Sequence, residues 1–400
     1  MDVMVVGNGF DIAHGLPTRY SDFLYVVSRI IKEHNLYPGR SWYQFVESFR
    51  LDDMDKVMAL IDKESGCHNE ADLMMDEMQD DIRQLIDKHK DVINKNDWLR
   101  YFIWIYAGLA NIKEFDSWID FETELGDCLV KLYSKINKPF LQGNAVIDVK
   151  CFDYETRCYK TEHFPFVFSS KVVAEPCWDR TYLLEWTYDC LFQQLLDLSE
   201  LLRDYLRIVE KFYSFKPIAS RRKFPWFCSD NTELEIAVSF NYTNIIADYV
   251  GPGFVMYVNG ELSDGDDERL ILGIEENSIC SEDPAIRKYI HRFFKSEQRV
   301  ECDYHYVYFE AFKTIGVDLK ENIVLHIVEH SLHMNDAKVI RSILKHPCVD
   351  KVIVYYYSGS DKREKIARLN DLLGDKDFFE CVNNTIEKPF IELVHTDSLV

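Results

Sequence analysis

The first twenty residues constrain the fold more than any other part of the chain. Residues 1–6 form a short apolar run rich in β-branched side chains, which predicts a buried strand. The run ends at Gly7, Asn8 and Gly9, and a helical pattern begins at Phe10. In α/β domains, a strand that breaks into glycines before a helix builds a nucleotide-phosphate site, because glycine lets an anion approach backbone N–H groups. A strand-to-helix turn without any ligand is the alternative interpretation.

The spacing of the glycines departs from the usual dinucleotide fingerprint. Gly15 lies six residues after Gly9, whereas the fingerprint places its third glycine three residues after the second. Pro17 follows closely, and Arg19 stands at the end of the loop, where its guanidinium could pair with a phosphate. The loop therefore predicts a phosphate-binding turn of a distinct kind.

Composition limits the class of protein and its partners. The chain has 400 residues, 47% hydrophobic and 14% aromatic, which favours a globular fold. Its net charge of −22 makes a nucleic-acid partner an unfavourable expectation, because the chain repels phosphate backbones at long range. No apolar run approaches the roughly 18 residues of a membrane span. The 11 cysteines form no C-x-x-C pair, so we expect reduced thiols, no metal site and a cytoplasmic location.

Periodicity divides the chain into a helical part and an α/β part. Residues 41–231 have mainly helical spacing, whereas strands alternate with helices after residue 232. We therefore predict an α/β fold, with a Rossmann-like, mostly parallel sheet built from residues 1–40 plus 232–400 and a large helical insertion at 41–231. Beyond the first strand, the predicted strands are 234–240, 254–258, 270–272, 323–328, 351–357 and 391–394, and the predicted helices of the second part are 283–296, 305–314, 336–345 and 362–373.

Polar residues follow four of the predicted strands. Besides the glycine turn, they include the strand ends at 241–244, 259–261 and 329–332. Ligands of open α/β sheets bind beyond the carboxyl ends of the strands, so we expect these residues to converge on one place. Among the histidines, His330 at a strand end is the better candidate for a base, and His14 is expected at the surface.

The run from Gly7 to Tyr20 resembles two known patterns. It is similar to the sirtuin loop, with Gly7, Gly9, Gly15 and Pro17 in register. It resembles still more the AbiH family of phage abortive-infection proteins, whose opening reads close to Gly-Asn-Gly-Phe-Asp-Leu-x-x-Gly-Leu-Pro-Thr-x-Tyr. The segments 239–243, 330–336 and 118–122 also resemble AbiH patterns.

The resemblance implies a sirtuin-type sheet that binds NAD. By that resemblance Asn241 contacts the nicotinamide ribose region and positions water, and Ser331 lies near the adenosine ribose. For Asn241 the alternative is an Asx turn after a strand, and for residues 118–122 it is an acidic helix start. The nucleotide-binding candidates are Gly7, Asn8, Gly9, Phe10, Gly15, Pro17, Arg19, Tyr242, Gly260 and Ser331.

One departure from the family pattern bears on catalysis. Sirtuin-like NAD hydrolases place a histidine base where this chain has Asn259, and asparagine accepts no proton near pH 7. A second departure is Glu329, which replaces a glycine. The catalytic candidates are Asn241, Asn259, Asp11 and His330, with His14 and Glu261 as further substitutes for the base.

Three functional hypotheses follow. The first is an anti-phage effector that binds NAD and hydrolyses its nicotinamide–ribose bond. The second is a catalytically silent sensor that binds NAD or ADP-ribose. In the third, the fold is a scaffold, and the acidic insertion binds a phage-derived or defence-system protein; a homo-oligomer is also compatible with the sequence.

Overall fold

A six-stranded parallel sheet forms the centre of the molecule. The computed structural model describes residues 1–34, 36, 68–106, 118–137, 152–153, 158–159, 180–215, 234–251, 254–262, 269–276, 279, 284–304, 322–383 and 390–396. The strands of the sheet are β1 (Asp2–Val6), β2 (Leu234–Ser239), β3 (Val255–Tyr257), β4 (Ile323–Val328), β5 (Val349–Tyr356) and β6 (Phe390–His395).

The strands lie in the order β3-β2-β1-β4-β5-β6, and every neighbouring pair is parallel. This 3-2-1-4-5-6 order is that of the doubly wound, Rossmann-like sheet, as the sequence predicted. The direction in which successive strands are added reverses between β1 and β4. These two strands are paired in parallel, with Val6 opposite Val328. Such a reversal opens a crevice at the carboxyl ends of the two strands, where ligands of these folds bind.

The sheet separates two hydrophobic cores. Alternate residues of β1 point to opposite faces, so that Met4 and Val6 join one core while Val3 and Val5 join the other. All four are fully buried, which explains why β1 reads as a continuous apolar run.

Helices cover both faces. The core on the Met4 side contains residues of α2 and of the helices of segment 41–231, and the core on the Val3 side contains residues of α11, α12 and α13. The helices are α1 (Gly9–Ala13), α2 (Tyr20–Glu33), α3 (Asn69–Glu77), α4 (Gln79–Lys95), α5 (Asp97–Tyr106), α6 (Trp118–Asn137), α7 (Arg180–Phe215), α8 (Ala247–Val250), α9 (Arg287–Ile290), α10 (Lys295–Glu301), α11 (Ala337–Leu344), α12 (Gly359–Leu373) and α13 (Asp375–Val382). A two-stranded antiparallel ribbon joins Phe152–Asp153 to Cys158–Tyr159.

Two local predictions were wrong. Residues 270–272 are buried but form no strand, because side chains bond their carbonyl groups in place of a neighbouring strand. Leu270 accepts from the Ser199 hydroxyl, Ile271 from the Tyr242 hydroxyl and Leu272 from Gln298 Nε2. The helix predicted at 283–296 is broken into a 3₁₀ turn, α9 and a second 3₁₀ turn, and α10 follows it. The helix predicted at 305–314 lies outside the described residues.

Candidate functional site

The glycine turn after β1 is closed by its own hydrogen bonds. Phe10 N–H donates to the Gly7 carbonyl at 2.9 Å and begins α1. The Thr18 hydroxyl donates to Asn8 Oδ1 at 2.8 Å, and Asn8 Nδ2 donates to the Thr18 carbonyl at 3.3 Å. The Asn8 side chain therefore joins the start of the loop to its end. Because that side chain is engaged, only the backbone of Asn8 is available to a ligand.

The segment after β4 packs so closely against residues 7 and 9 that only glycine fits there. A Cβ on Gly7 would lie 2.9 Å from His330 Cδ2, and one on Gly9 would lie 2.8 Å from the Glu329 carbonyl oxygen. Glu329 itself has a positive φ of 50°, a conformation that glycine adopts without strain. The backbone at 329 therefore takes the form that the glycine of the family pattern favours, despite the substitution.

One cavity of about 310 Å³ lies at the crevice between β1 and β4. Its walls come from the segments that follow β1, β2, β3, β4 and β5 and from helices α1, α6, α10 and α12. Parallel strands are spaced about 4.8 Å apart, so the distance from the end of β2 to the end of β5 is about 14 Å. The lining residues are Gly7, Asn8, Gly9, Ile12, Arg19, Glu122, Phe240, Asn241, Tyr242, Asn259, Lys295, Glu329, His330, Ser331, Asp336, Tyr357, Asp361, Glu364 and Lys365.

Asn241 is held in the cavity wall by a buried carboxyl group. Its Nδ2 donates to Asp11 Oδ1 at 2.9 Å, and the Thr243 hydroxyl donates to Asp11 Oδ2 at 2.6 Å. Burial raises the pKa of Asp11 to about 7, against the effect of these two hydrogen bonds. Asp11 is not among the lining residues, so its contact with the cavity is made through Asn241.

Asn259 also lines the cavity, but both polar atoms of its side chain are engaged. Nδ2 donates to the Phe240 carbonyl at 3.1 Å, and Oδ1 accepts from Arg299 Nη2 at 2.9 Å. The buried Arg299 also pairs with Glu275 at 3.1 Å and donates from Nε to the Val258 carbonyl at 3.2 Å. Asn259, which stands where the sirtuin-like pattern has a histidine, is therefore a neutral side chain that links the Phe240 carbonyl to Arg299.

His330 is buried and offers an N–H group to the cavity region. Its Nδ1 accepts from Leu332 N–H at 2.9 Å, which leaves the proton of the neutral ring on Nε2, 3.7 Å from Asp336 Oδ2. Burial lowers the pKa of His330 to about 4, and the nearby Asp336 only partly opposes this effect. Near pH 7 the ring is neutral and its free nitrogen is a donor, which disfavours its use as a general base in this conformation.

A buried lysine joins the helical segment to the sheet side of the cavity. Lys295 Nζ pairs with Glu122 Oε1 and lies 3.5 Å from Asp336 Oδ1. Burial lowers the pKa of Lys295, but the two carboxylates outweigh it and keep that pKa above its ordinary value. Burial raises the pKa of Glu122 to about 7, although Lys295 acts in the opposite direction.

The structure brings nine of the sequence candidates to this cavity: Gly7, Asn8, Gly9, Arg19, Asn241, Tyr242, Asn259, His330 and Ser331. Five others do not line it, namely Phe10, Asp11, Gly15, Pro17 and Gly260. Phe10 is a core residue, and the Pro17 carbonyl accepts from the Tyr205 hydroxyl at 2.5 Å. Gly15 and Gly260 have positive φ angles of 71° and 95°, a backbone conformation that glycine adopts without strain.

The expectation that His14 lies at the surface was wrong. His14 is 5% exposed, and its ring nitrogens are 2.7 Å from the Phe10 carbonyl oxygen and 2.5 Å from the Tyr249 hydroxyl. It is a packed residue behind the loop. Glu261 is also absent from the cavity lining.

The sequence analysis missed several charged residues of the cavity. Glu122 was noted as part of the 118–122 family pattern, with an acidic helix start as the alternative, and was not among the site candidates. Asp336 was noted only as part of a family pattern, and Lys295 and Lys365 carry no local signal because each lies in an ordinary helix. Among the described residues, no group of three or more His, Cys, Asp or Glu side chains is arranged to hold a metal ion.

The fold and the cavity define an α/β protein with a polar cavity at the switch point of a doubly wound parallel sheet. The family described as bacteriophage abortive infection AbiH matches residues 3–357. The chain therefore belongs to the AbiH family, whose description connects it with abortive infection by bacteriophage. No curated protein and no solved structure matches the chain. None of the helices in the described part combines the length and apolarity needed to cross a membrane.

Proposed function

We propose that this AbiH protein is an anti-phage effector whose cavity binds NAD or a related nucleotide. One observation carries the proposal: the glycine turn, Arg19 and Asn241 line the same cavity at the reversal point of the sheet. Nucleotides bind at this place in doubly wound folds. The cavity volume of about 310 Å³ is at the lower end of the range for small-molecule sites.

Arg19 supports an anionic ligand. It lines the cavity and forms no ion pair with any residue that the structure describes. The other cations of the cavity are already engaged, Lys295 with Glu122 and Lys365 with Asp361 at 3.5 Å. A guanidinium beside glycine backbone suits a diphosphate, because it can donate two parallel hydrogen bonds.

Calorimetric titration with NAD and with ADP-ribose tests this proposal. We expect saturable binding that Arg19→Ala weakens by about ten-fold, the size of one charge-assisted hydrogen bond. Arg29→Ala is the control, because Arg29 on α2 pairs with Glu33 and Asp72 and does not line the cavity. Wild-type protein that binds neither nucleotide would contradict the proposal.

A second function, hydrolysis of the nicotinamide–ribose bond, is supported by the anchoring of Asn241. A side chain fixed by a buried carboxyl group can orient a water molecule without reorganising during the reaction. Water would attack the ribose carbon and release one proton to solvent, and the electron pair of the broken bond would leave with neutral nicotinamide. Chromatography for released nicotinamide, with Asn241→Ala as the variant, separates an enzyme from a sensor that only binds.

A further inference from the structure

Three residues that line the cavity, from helix α6 and from the segments after β2 and β4, have a buried acceptor without a hydrogen-bond donor in the described part of the chain. Glu122 Oε2, Asn241 Oδ1 and Asp336 Oδ1 are buried and have no hydrogen-bond partner in the part of the chain that the structure describes. Glu122 and Asn241 are each only 6% exposed, and all three residues line the cavity. Of the three, Asp336 Oδ1 has the ion pair with Lys295 Nζ at 3.5 Å, whereas Glu122 Oε2 and Asn241 Oδ1 have neither a hydrogen bond nor an ion pair. Buried polar atoms are nearly always hydrogen-bonded in native proteins, so these two acceptors in the lining of one cavity indicate a missing donor.

The chemistry of these atoms selects the kind of group that fits. Three oxygen acceptors repel a phosphate, which suits Arg19 instead. A metal ion is disfavoured because Lys295 already supplies a positive charge between Glu122 and Asp336. With a phosphate and a metal ion both disfavoured, the donors that fit these acceptors are neutral hydroxyl groups. A sugar with adjacent hydroxyls presents several such donors at once.

We propose that Glu122, with Asn241 and Asp336, forms a subsite for the hydroxyl groups of a ribose. This inference rests on the proposed nucleotide binding and names the part of the ligand that the subsite takes. The phosphates would lie toward the glycine turn and Arg19, and the ribose beyond them would lie against Glu122. Helix α6 therefore contributes a ligand-contacting residue to a site that is otherwise built on the sheet and its own helices.

The titration behaviour of Glu122 is compatible with this use. Burial raises its pKa to about 7, so above that pH the group is ionised and its unpaired oxygen can only accept a hydrogen bond from a hydroxyl. Its Oε1 remains paired with Lys295, which fixes the orientation of the group.

Binding of ADP-ribose compared with ADP tests the subsite, because ADP lacks the second ribose. We expect the wild-type protein to bind ADP-ribose about ten-fold or more tightly than ADP, the range for hydrogen bonds to a charged group. In Glu122→Gln, the amide oxygen would stay with Lys295 and the amide NH₂ would replace the unpaired acceptor. We therefore expect this variant to bind ADP as the wild type does and to lose the preference for ADP-ribose.

Glu124→Gln is the matched control. Glu124 lies on the same helix, accepts from the Tyr101 hydroxyl at 3.3 Å and does not line the cavity, so the preference should be unchanged. Equal wild-type affinity for ADP and ADP-ribose overturns the inference without any variant, and so does a Glu122→Gln protein that retains the preference. Absence of binding for both nucleotides is a different result, because it contradicts the proposed function itself.

Discussion

The buried Asp11 carboxyl group should make the stability of this protein depend on pH in a way that one substitution removes. In Asp11→Asn, the amide can still accept from Asn241 Nδ2 and donate to the Thr243 hydroxyl, so both hydrogen bonds survive. What changes is that the buried group no longer ionises.

The size of the effect follows from the pKa of Asp11. Burial raises that pKa from 3.8 to about 7, so the folded state holds the proton more tightly than the unfolded state. A raised pKa gives stability that is complete below pH 3.8 and is lost as pH rises toward 7. Three pKa units correspond to about 4 kcal/mol, of which about 2–3 kcal/mol falls between pH 5 and pH 8.

Urea unfolding of the wild type and of Asp11→Asn at pH 5 and pH 8 measures this difference. We expect the variant to gain about 2–3 kcal/mol more over the wild type at pH 8 than at pH 5. Asp80→Asn is a control, because Asp80 is an exposed residue of α4 and its variant should show no such pH-dependent gain. An Asp11→Asn protein whose stability relative to the wild type is the same at both pH values would refute the reasoning.

Two further predictions concern packing around the cavity. Gly9→Ala should cost about 1–3 kcal/mol in thermal or urea unfolding, because its Cβ would meet the Glu329 carbonyl at 2.8 Å. Gly359→Ala, which meets nothing within 4 Å, should be neutral or slightly stabilising, and equal costs for both would contradict the contact. Arg299→Met should cost about 3–5 kcal/mol, because it removes the guanidinium that pairs with the buried Glu275 at 3.1 Å. Adding Glu275→Leu should recover part of that loss, and a double variant less stable than the single one would argue against the pairing.

The parts of the fold that the sequence predicted are those with a local physical cause. β1 and β4 are buried on both faces, so their apolar runs identify them without knowledge of their neighbours. Residues 270–272 are also an apolar run but have no ladder, because the side chains of Ser199, Tyr242 and Gln298 donate to their carbonyl groups. Composition alone could not show where those bonds lead.

The candidate site divides in the same way. The glycine turn and Asn241 follow strands directly, so the parallel sheet brings them together at one edge. Lys295 and Glu122 reach the cavity from helices that are distant from each other in sequence, and only tertiary packing joins them. Asp11 was predicted to act on a ligand, but the structure places it one layer deeper, where it contacts Asn241.

The Glu122–Lys295 pair and the Tyr205–Pro17 hydrogen bond both join the helical segment 41–231 to the rest of the chain. Together they make the two sequence-defined portions mutually dependent. A shortened chain without residues 41–231 would lose Glu122 from the cavity wall and leave Lys295 without that carboxylate. The Pro17 carbonyl would be stripped of its donor at the same time. We expect neither portion to survive excision as an independent module with an intact cavity.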